Sequence, residues 1–178
     1  MTAKKLEFFK RFLTTTGTTY DDVARIVGIT NVSVSRWFTI DDIKLSHMIK
    51  VVESLGYSFD ISLRKEPNAT DPPVEKLGRM AKQYEEDHLR FLCVAMSRYG
   101  ITMADIAREL RVYYTTIRHM FEVNDILFSR LIEIAEAFDL YIILDIHPLK
   151  TIVPNEDNEC LMKCTVIPQV IQFRPDDY

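Results

Sequence analysis

Glycine, cysteine and histidine are scarce in this chain of 178 residues, with five, three and four copies. So few glycines form no phosphate-cradling loop. His47, His88, His119 and His147 make no His-x-x-x-His pair, and none accompanies a Gly-x-Ser-x-Gly turn, so neither a zinc-protease helix nor a nucleophile elbow is present. Cys93 lies in an apolar helical stretch and reads as packing. Cys160 and Cys164 stand four apart without His or Cys neighbours at metal-site spacing, which argues against zinc. No metal, no cofactor and no enzymatic activity are expected. Long apolar runs are missing too: none approaches the roughly 18 residues of a membrane span. The opening MTAKKLEFFKRFL alternates charge and bulk and lacks the apolar core and cleavage site of a signal peptide. A cytoplasmic protein without a membrane partner is the expectation, and three cysteines suit a reducing compartment.

Positive charge is also short. The net charge is −4, unhelpful for a nucleic-acid binder taken whole. It is unevenly spread: residues 1–65 carry +3, residues 66–87 carry −3, and 88–147 and 148–178 carry −2 each.

What the chain does have is a repeat. Residues 6–63 align without a gap on 89–146, with 13 identical pairs, among them Gly17/Gly100, Thr19/Thr102, Asp22/Asp105, Ala24/Ala107, Phe38/Phe121, Asp42/Asp125 and Ser46/Ser129. The apolar positions stay in phase, as in Val23/Ile106, Val34/Ile117, Trp37/Met120, Met48/Leu131 and Val51/Ile134. A duplicated unit follows.

Each copy divides in the same way. Leu6, Phe9 and Leu13, or Leu89, Leu92 and Met96, recur at helical spacing up to a glycine suited to a helix end. Thr19 with Asp22, and Thr102 with Asp105, then have the spacing of a capping box. A very short helix burying Val23, Ala24 and Val27 turns at Gly28 into a third helix burying Val34, Trp37 and Phe38. A fourth helix buries Met48, Val51, Val52 and Leu55. YSFDISL then alternates Tyr57, Phe59, Ile61 and Leu63 on one face, and its counterpart LYIILDI is almost wholly apolar; each copy is expected to end in a strand.

Two short helices at a tight turn, with small Ala24 or Ala107 at the crossing, form a helix-turn-helix pattern. TYDDVARIVGITNVSVSRWF resembles the helix-turn-helix of the lambda-repressor/Cro-like, or xenobiotic-response-element, family, through Thr19, Ala24, Gly28, Ile29, Val34, Ser35, Arg36 and Trp37. HMIKVVESLGY and RLIEIAEAFDL resemble its fourth helix. The resemblance covers about 55–60 residues per copy. It implies a mainly α chain of two tandem lambda-repressor-like domains at 1–64 and 88–147. Their terminal strands, 57–64 and 140–147, would pair in a small antiparallel sheet as in antitoxin-like members, making a pseudo-dimer.

The same resemblance implies sequence-specific binding of double-stranded DNA and transcriptional regulation, with helix 3 in the major groove. The contact set is Thr19, Thr30, Asn31, Val32, Ser33, Ser35 and Arg36 in the first copy, and Tyr114, Thr115, Thr116, Arg118 and His119 in the second. Because the two sets differ, the operator would be an imperfect palindrome. The chain departs from the family pattern after helix 3, where Asp41, Asp42 and Asp125 replace basic residues. Tyr20 and Met103 stand for its phosphate-contacting glutamine, and Tyr113 for the polar cap that Thr30 supplies. Arg111 replaces the turn glycine, at roughly 1 kcal/mol if its φ is positive. A protein-interaction or antitoxin-like module that keeps the scaffold is the alternative.

Residues 65–87 form a linker, with turn chemistry in KEPNATDPP and then apolar positions in a three-four alternation from Val74. A charged helix preceding or fused to the second copy, over 74–98, is expected, with His88 packed in its stripe. This helix or the tail at 148–178 could serve a protein partner or self-association. ECLMKCTVIPQVIQF in that tail could instead add a strand.

Overall fold

The computed structural model describes residues 4–66 and 87–149, and residues 169–173 by their backbone. In chain order the elements are α1 (Glu7–Thr15), α2 (Tyr20–Val27), α3 (Asn31–Ile40), α4 (Leu45–Ser54), β1 (Tyr57–Arg64), α5 (Arg90–Tyr99), α6 (Met103–Glu109), α7 (Tyr114–Glu122), α8 (Phe128–Ala137), β2 (Tyr141–Pro148) and β3 (Gln169–Phe173). The chain is mainly helical, with a small antiparallel sheet in the order β1-β2-β3.

Local chemistry sets the boundaries. Thr19 accepts from the Asp22 amide while the Asp22 side chain takes the Thr19 amide, and Thr102 and Asp105 repeat this at α6. Both are capping boxes, each satisfying donors that a helix start leaves open. The chain reverses through left-handed residues at matched places: Gly17 and Gly100, Gly28 and Arg111, Asp41 and Asn124, Gly56 and Asp139. Every left-handed residue among those described thus has a left-handed counterpart in the other half. Arg111, at φ 53°, does carry the strain that glycine avoids.

The halves meet as mirror participants in one pairing. β1 and β2 are antiparallel with Ile61 opposite Leu144, its counterpart in the repeat. Lys44 bridges Leu127, again its own counterpart. A two-fold exchanging the halves therefore passes through both pairs, the self-complementary arrangement of an isologous dimer. Phe128 N donates to Ile43 O at 2.9 Å and Leu45 N to Ile126 O at 2.8 Å, closing the Lys44 end. Phe8 crosses to Phe128, with ring centroids 5.6 Å apart. Phe9, Met48, Leu92, Ile106, Phe128 and Leu131 are buried in one continuous apolar core. Cys93 belongs to it, and burial, with the Asp87 charge adding, pushes its thiol up to about 12.

Three expectations need correction. The helix over 74–98 does not run through: residues 87–89 form a bend and turn, and α5 starts at Arg90. Residues 67–86, with the rest of that stripe, lie outside the described residues. His88 sits in this turn and is exposed, so it is not packed. The second strand spans 141–148 rather than 140–147, because Leu140 closes the end of α8 by donating to Ala135 O at 2.8 Å. The tail does contribute a strand, β3, paired with β2 from Ile142–Phe173 to Ile146–Gln169. Cys160 and Cys164 lie outside the described residues. No helix among the described residues is long and apolar enough to cross a membrane.

Candidate nucleic-acid interface

Helix α3 is held by its inner face. Val34 and Trp37 are buried, Phe38 stacks on Phe9 and Tyr20, and Tyr20 lies only 8° from parallel to it. Tyr20 is therefore a packing residue. The outer face of α3 is open: Val32 is 78% exposed, and Asn31, Ser35 and Arg36 are exposed. Arg36 has no carboxylate partner among the described residues.

Several members of the sequence-derived set are already occupied. Thr19 Oγ1 donates to Asp22 Oδ2 at 2.6 Å, and Thr30 Oγ1 accepts from Ser33 N at 3.3 Å while contacting Ser33 Oγ at 2.9 Å. These threonines spend their hydroxyls on helix starts. Asn31 donates its amide to the Asp21 carboxylate, so reading an adenine edge would require exchanging that partner. Val32, Ser35 and Arg36 need no such exchange.

In α7, Ile117, Met120 and Phe121 are buried. Thr115 and Thr116 face outward, Tyr114 is 51% exposed with its hydroxyl 4.0 Å from Met103 Sδ, and Tyr113 is 84% exposed at a helix start without a side-chain cap. The arginine here is compensated. Arg118 Nε donates to Glu122 Oε1 at 2.8 Å, and His119 Nδ1 lies 3.8 Å from Glu122 Oε2. Arg25 and Arg108, on α2 and α6, pair with Asp22 and Asp105. The hydroxyls and then the amides of Thr19 and Thr102 hold those two carboxyls below the usual range. Exposed Arg111, like Arg36, lacks a carboxylate partner among the described residues.

The acidic residues after α3 and α7 have structural employment. Asp41 accepts from the amides of Lys5 at 2.7 Å and Leu6 at 3.0 Å, tying the start of α1 to the end of α3. Asn124 receives the Leu89 amide at 3.3 Å in the corresponding place. Asp42 and Asp125 cap the opposite halves: Asp42 takes the amide and hydroxyl of Ser129, and Asp125 those of Ser46. Sequence reasoning missed this role. Its signal was the identity of both the aspartate and the serine in the two copies.

No group of three His, Cys, Asp or Glu among the described residues could hold a metal ion. The arrangement offers two outward helices, one with an exposed valine and a guanidinium that has no carboxylate partner among the described residues, the other with tyrosines, threonines and an arginine paired with Glu122. Compared with protein-family models, curated proteins and solved structures, the chain finds no match.

Proposed function

We propose that the chain is a non-enzymatic, sequence-specific double-stranded DNA-binding protein of lambda-repressor-like design, acting as a transcriptional regulator in the cytoplasm. One polypeptide supplies both helix-turn-helix units of a pseudo-dimer, with α3 and α7 as non-identical recognition helices. The observation that carries the reading is the pair of outward helix faces related by the internal two-fold. Duplex DNA has such a symmetry, and a symmetric reader matches a palindromic site. In the first half Arg36 would grip a guanine edge or phosphate and Val32 a thymine methyl. In the second, Tyr114, Thr115 and Thr116 would make bulkier, mostly uncharged contacts.

The sparse positive charge implies little non-specific affinity, since phosphate contacts supply most of it. Exposed Tyr113 and the Glu122 compensation of Arg118 favour a second reading: a protein-interaction or antitoxin-like module in which α7 meets another protein. Gel retardation separates the two. With a duplex enriched from a random pool at low salt, Arg36→Ala combined with Asn31→Ala should abolish the shifted band while circular dichroism stays unchanged. Failure of the wild type to enrich any duplex, with a protein co-purifying instead, supports the interaction module.

A further inference from the structure

The contact set derived from the helix starts stops short of the two-fold, yet the exposed faces of α3 and α7 do not. Val32, Arg36 and Ile40 stand at successive four-residue steps on α3, and Thr115, His119 and Val123 do so along α7 and its C-cap. Residues four apart share a helix face. Ile40 is 57% and Val123 52% exposed, both apolar, at the ends nearest the Lys44–Leu127 bridge. That bridge lies on the two-fold, as does the Ile61–Leu144 pair of the sheet. Leu127 is 46% exposed and the Lys44 side chain 57%. We call these four exposed side chains, with Ile40 and Val123 each four residues ahead of the bridge along the chain, the pole at the two-fold. The aspartates beside it, Asp42 and Asp125, are engaged by serines of the opposite half, and Asp125 Oδ2 also lies 3.7 Å from Lys44 Nζ, so Lys44 must exchange that partner to meet a phosphate or base edge.

We infer that this pole contacts the minor groove at the centre of the operator, so that base pairs between the two half-sites are discriminated by Ile40, Val123, Leu127 and Lys44. The inference rests on the DNA-binding reading above. When two related helices enter major grooves one turn apart on the same side of a duplex, the minor groove between them faces the protein's two-fold. Whatever occupies that axis must meet it. Apolar side chains are the type that press against sugars or wedge base steps there. A lysine is drawn to the negative potential of a narrow A·T-rich minor groove. Because Lys44 faces a leucine across the axis, the cation sits on one side only. The central contact is therefore lopsided and fixes the orientation in which the chain lies on its site.

The test uses the full chain and the duplex it enriches from a random pool. Wild type should bind about tenfold more weakly when two central A·T pairs become G·C. Ile40→Ser with Val123→Ser, both at exposed positions, should bind the parent duplex about tenfold more weakly and discriminate the centre less than twofold, half-site preferences being retained. Lys44→Met keeps the apolar stem and should lower the slope of log affinity against log salt by at most about one, since Asp125 already pairs with Lys44 in the free protein. Unchanged central discrimination in the double-serine variant overturns the inference and leaves the DNA-binding reading intact. So does a wild-type dimer in sedimentation that this variant converts to monomer without loss of DNA affinity, since a second copy then covers the pole. Enrichment of no duplex by the wild type defeats the reading itself, and the inference with it.

Discussion

Asp42 receives the amide of Ser129 at 3.0 Å and its hydroxyl at 2.7 Å, so a residue of the first half caps a helix of the second. Asp125 returns the arrangement to Ser46 at 3.1 and 2.8 Å. Neither α4 nor α8 has a side-chain cap from its own N-cap residue, Lys44 or Leu127. Each helix start is thus completed only when the halves are together. Acidic residues that look ill-suited to a phosphate-facing loop are explained by this exchange. A carboxylate also complements the positive end of the helix it caps.

Asp42→Ala and Asp125→Ala should each lower stability by about 1–2 kcal/mol, the usual value of a lost N-cap. Asparagine keeps an acceptor, so Asp42→Asn should retain more than half of that. Urea unfolding followed by circular dichroism measures both. Stability unchanged in either alanine variant means the cross-cap contributes nothing.

Gly28 and Arg111 occupy the same turn, at φ 85° and 53°, and respond to substitution with opposite signs. A Cβ on Gly28 meets nothing within 4 Å, so Gly28→Ala should cost only its backbone strain, about 1–2 kcal/mol. Arg111→Gly relieves such strain but frees the unfolded chain, leaving a change between zero and about 1 kcal/mol of stabilisation. Thermal unfolding midpoints of the two variants should move apart.

Stability should fall in two stages on acidification. Burial holds the His47 imidazole below its usual value and outweighs the Asp125 charge, which acts the other way. A group depressed by folding stabilises above its unfolded pKa and loses that contribution as pH falls through the folded one. The first decline therefore begins below pH about 6.5. Asp22 and Asp105, depressed by the Thr19 and Thr102 hydrogen bonds, add a second below pH about 4. Thr19→Ala with Thr102→Ala should flatten the second decline and spare the first, as read from urea midpoints between pH 8 and 3. At the other extreme the thiol of buried Cys93, raised to about 12, stabilises the fold up to its unfolded pKa. That contribution is lost as pH rises from there through the folded value.

Glu122 lies against both Arg118 and His119. Glu122→Gln should release Arg118 toward phosphate, raising affinity for the enriched duplex about threefold to tenfold and steepening its salt dependence. Titration by fluorescence anisotropy at two salt concentrations measures this. Unchanged affinity and slope would place α7 away from the DNA.

Much of this architecture is legible in one strand of text because its signals are local. Thr19 with Asp22 and Thr102 with Asp105 announce helix starts through spacing alone, and the alternation Tyr57, Phe59, Ile61, Leu63 announces β1. The repeat gave each half a terminal strand, and the resemblance to antitoxin-like members implied that the two would meet, as β1 and β2 do. What escaped reading depends on partners far along the chain. Asp42 and Ser129 are 87 residues apart, and nothing near either names the other. Asp41, Asn124 and Asp139 adopt left-handed turns that glycine would have flagged. The engagement of Asn31 by Asp21 similarly depends on how α2 crosses α3. Ile40 and Val123, residue types that suggest core, are exposed at the ends of α3 and α7.

Under the proposed function one chain reads a two-part DNA site through two unlike helices, and duplex selection from a random pool at low salt is the decisive measurement. The expected product is an enriched imperfect palindrome whose half-sites are centred about 10 base pairs apart, bound by a single polypeptide per duplex. Enrichment of no sequence above the starting pool would contradict the proposed function.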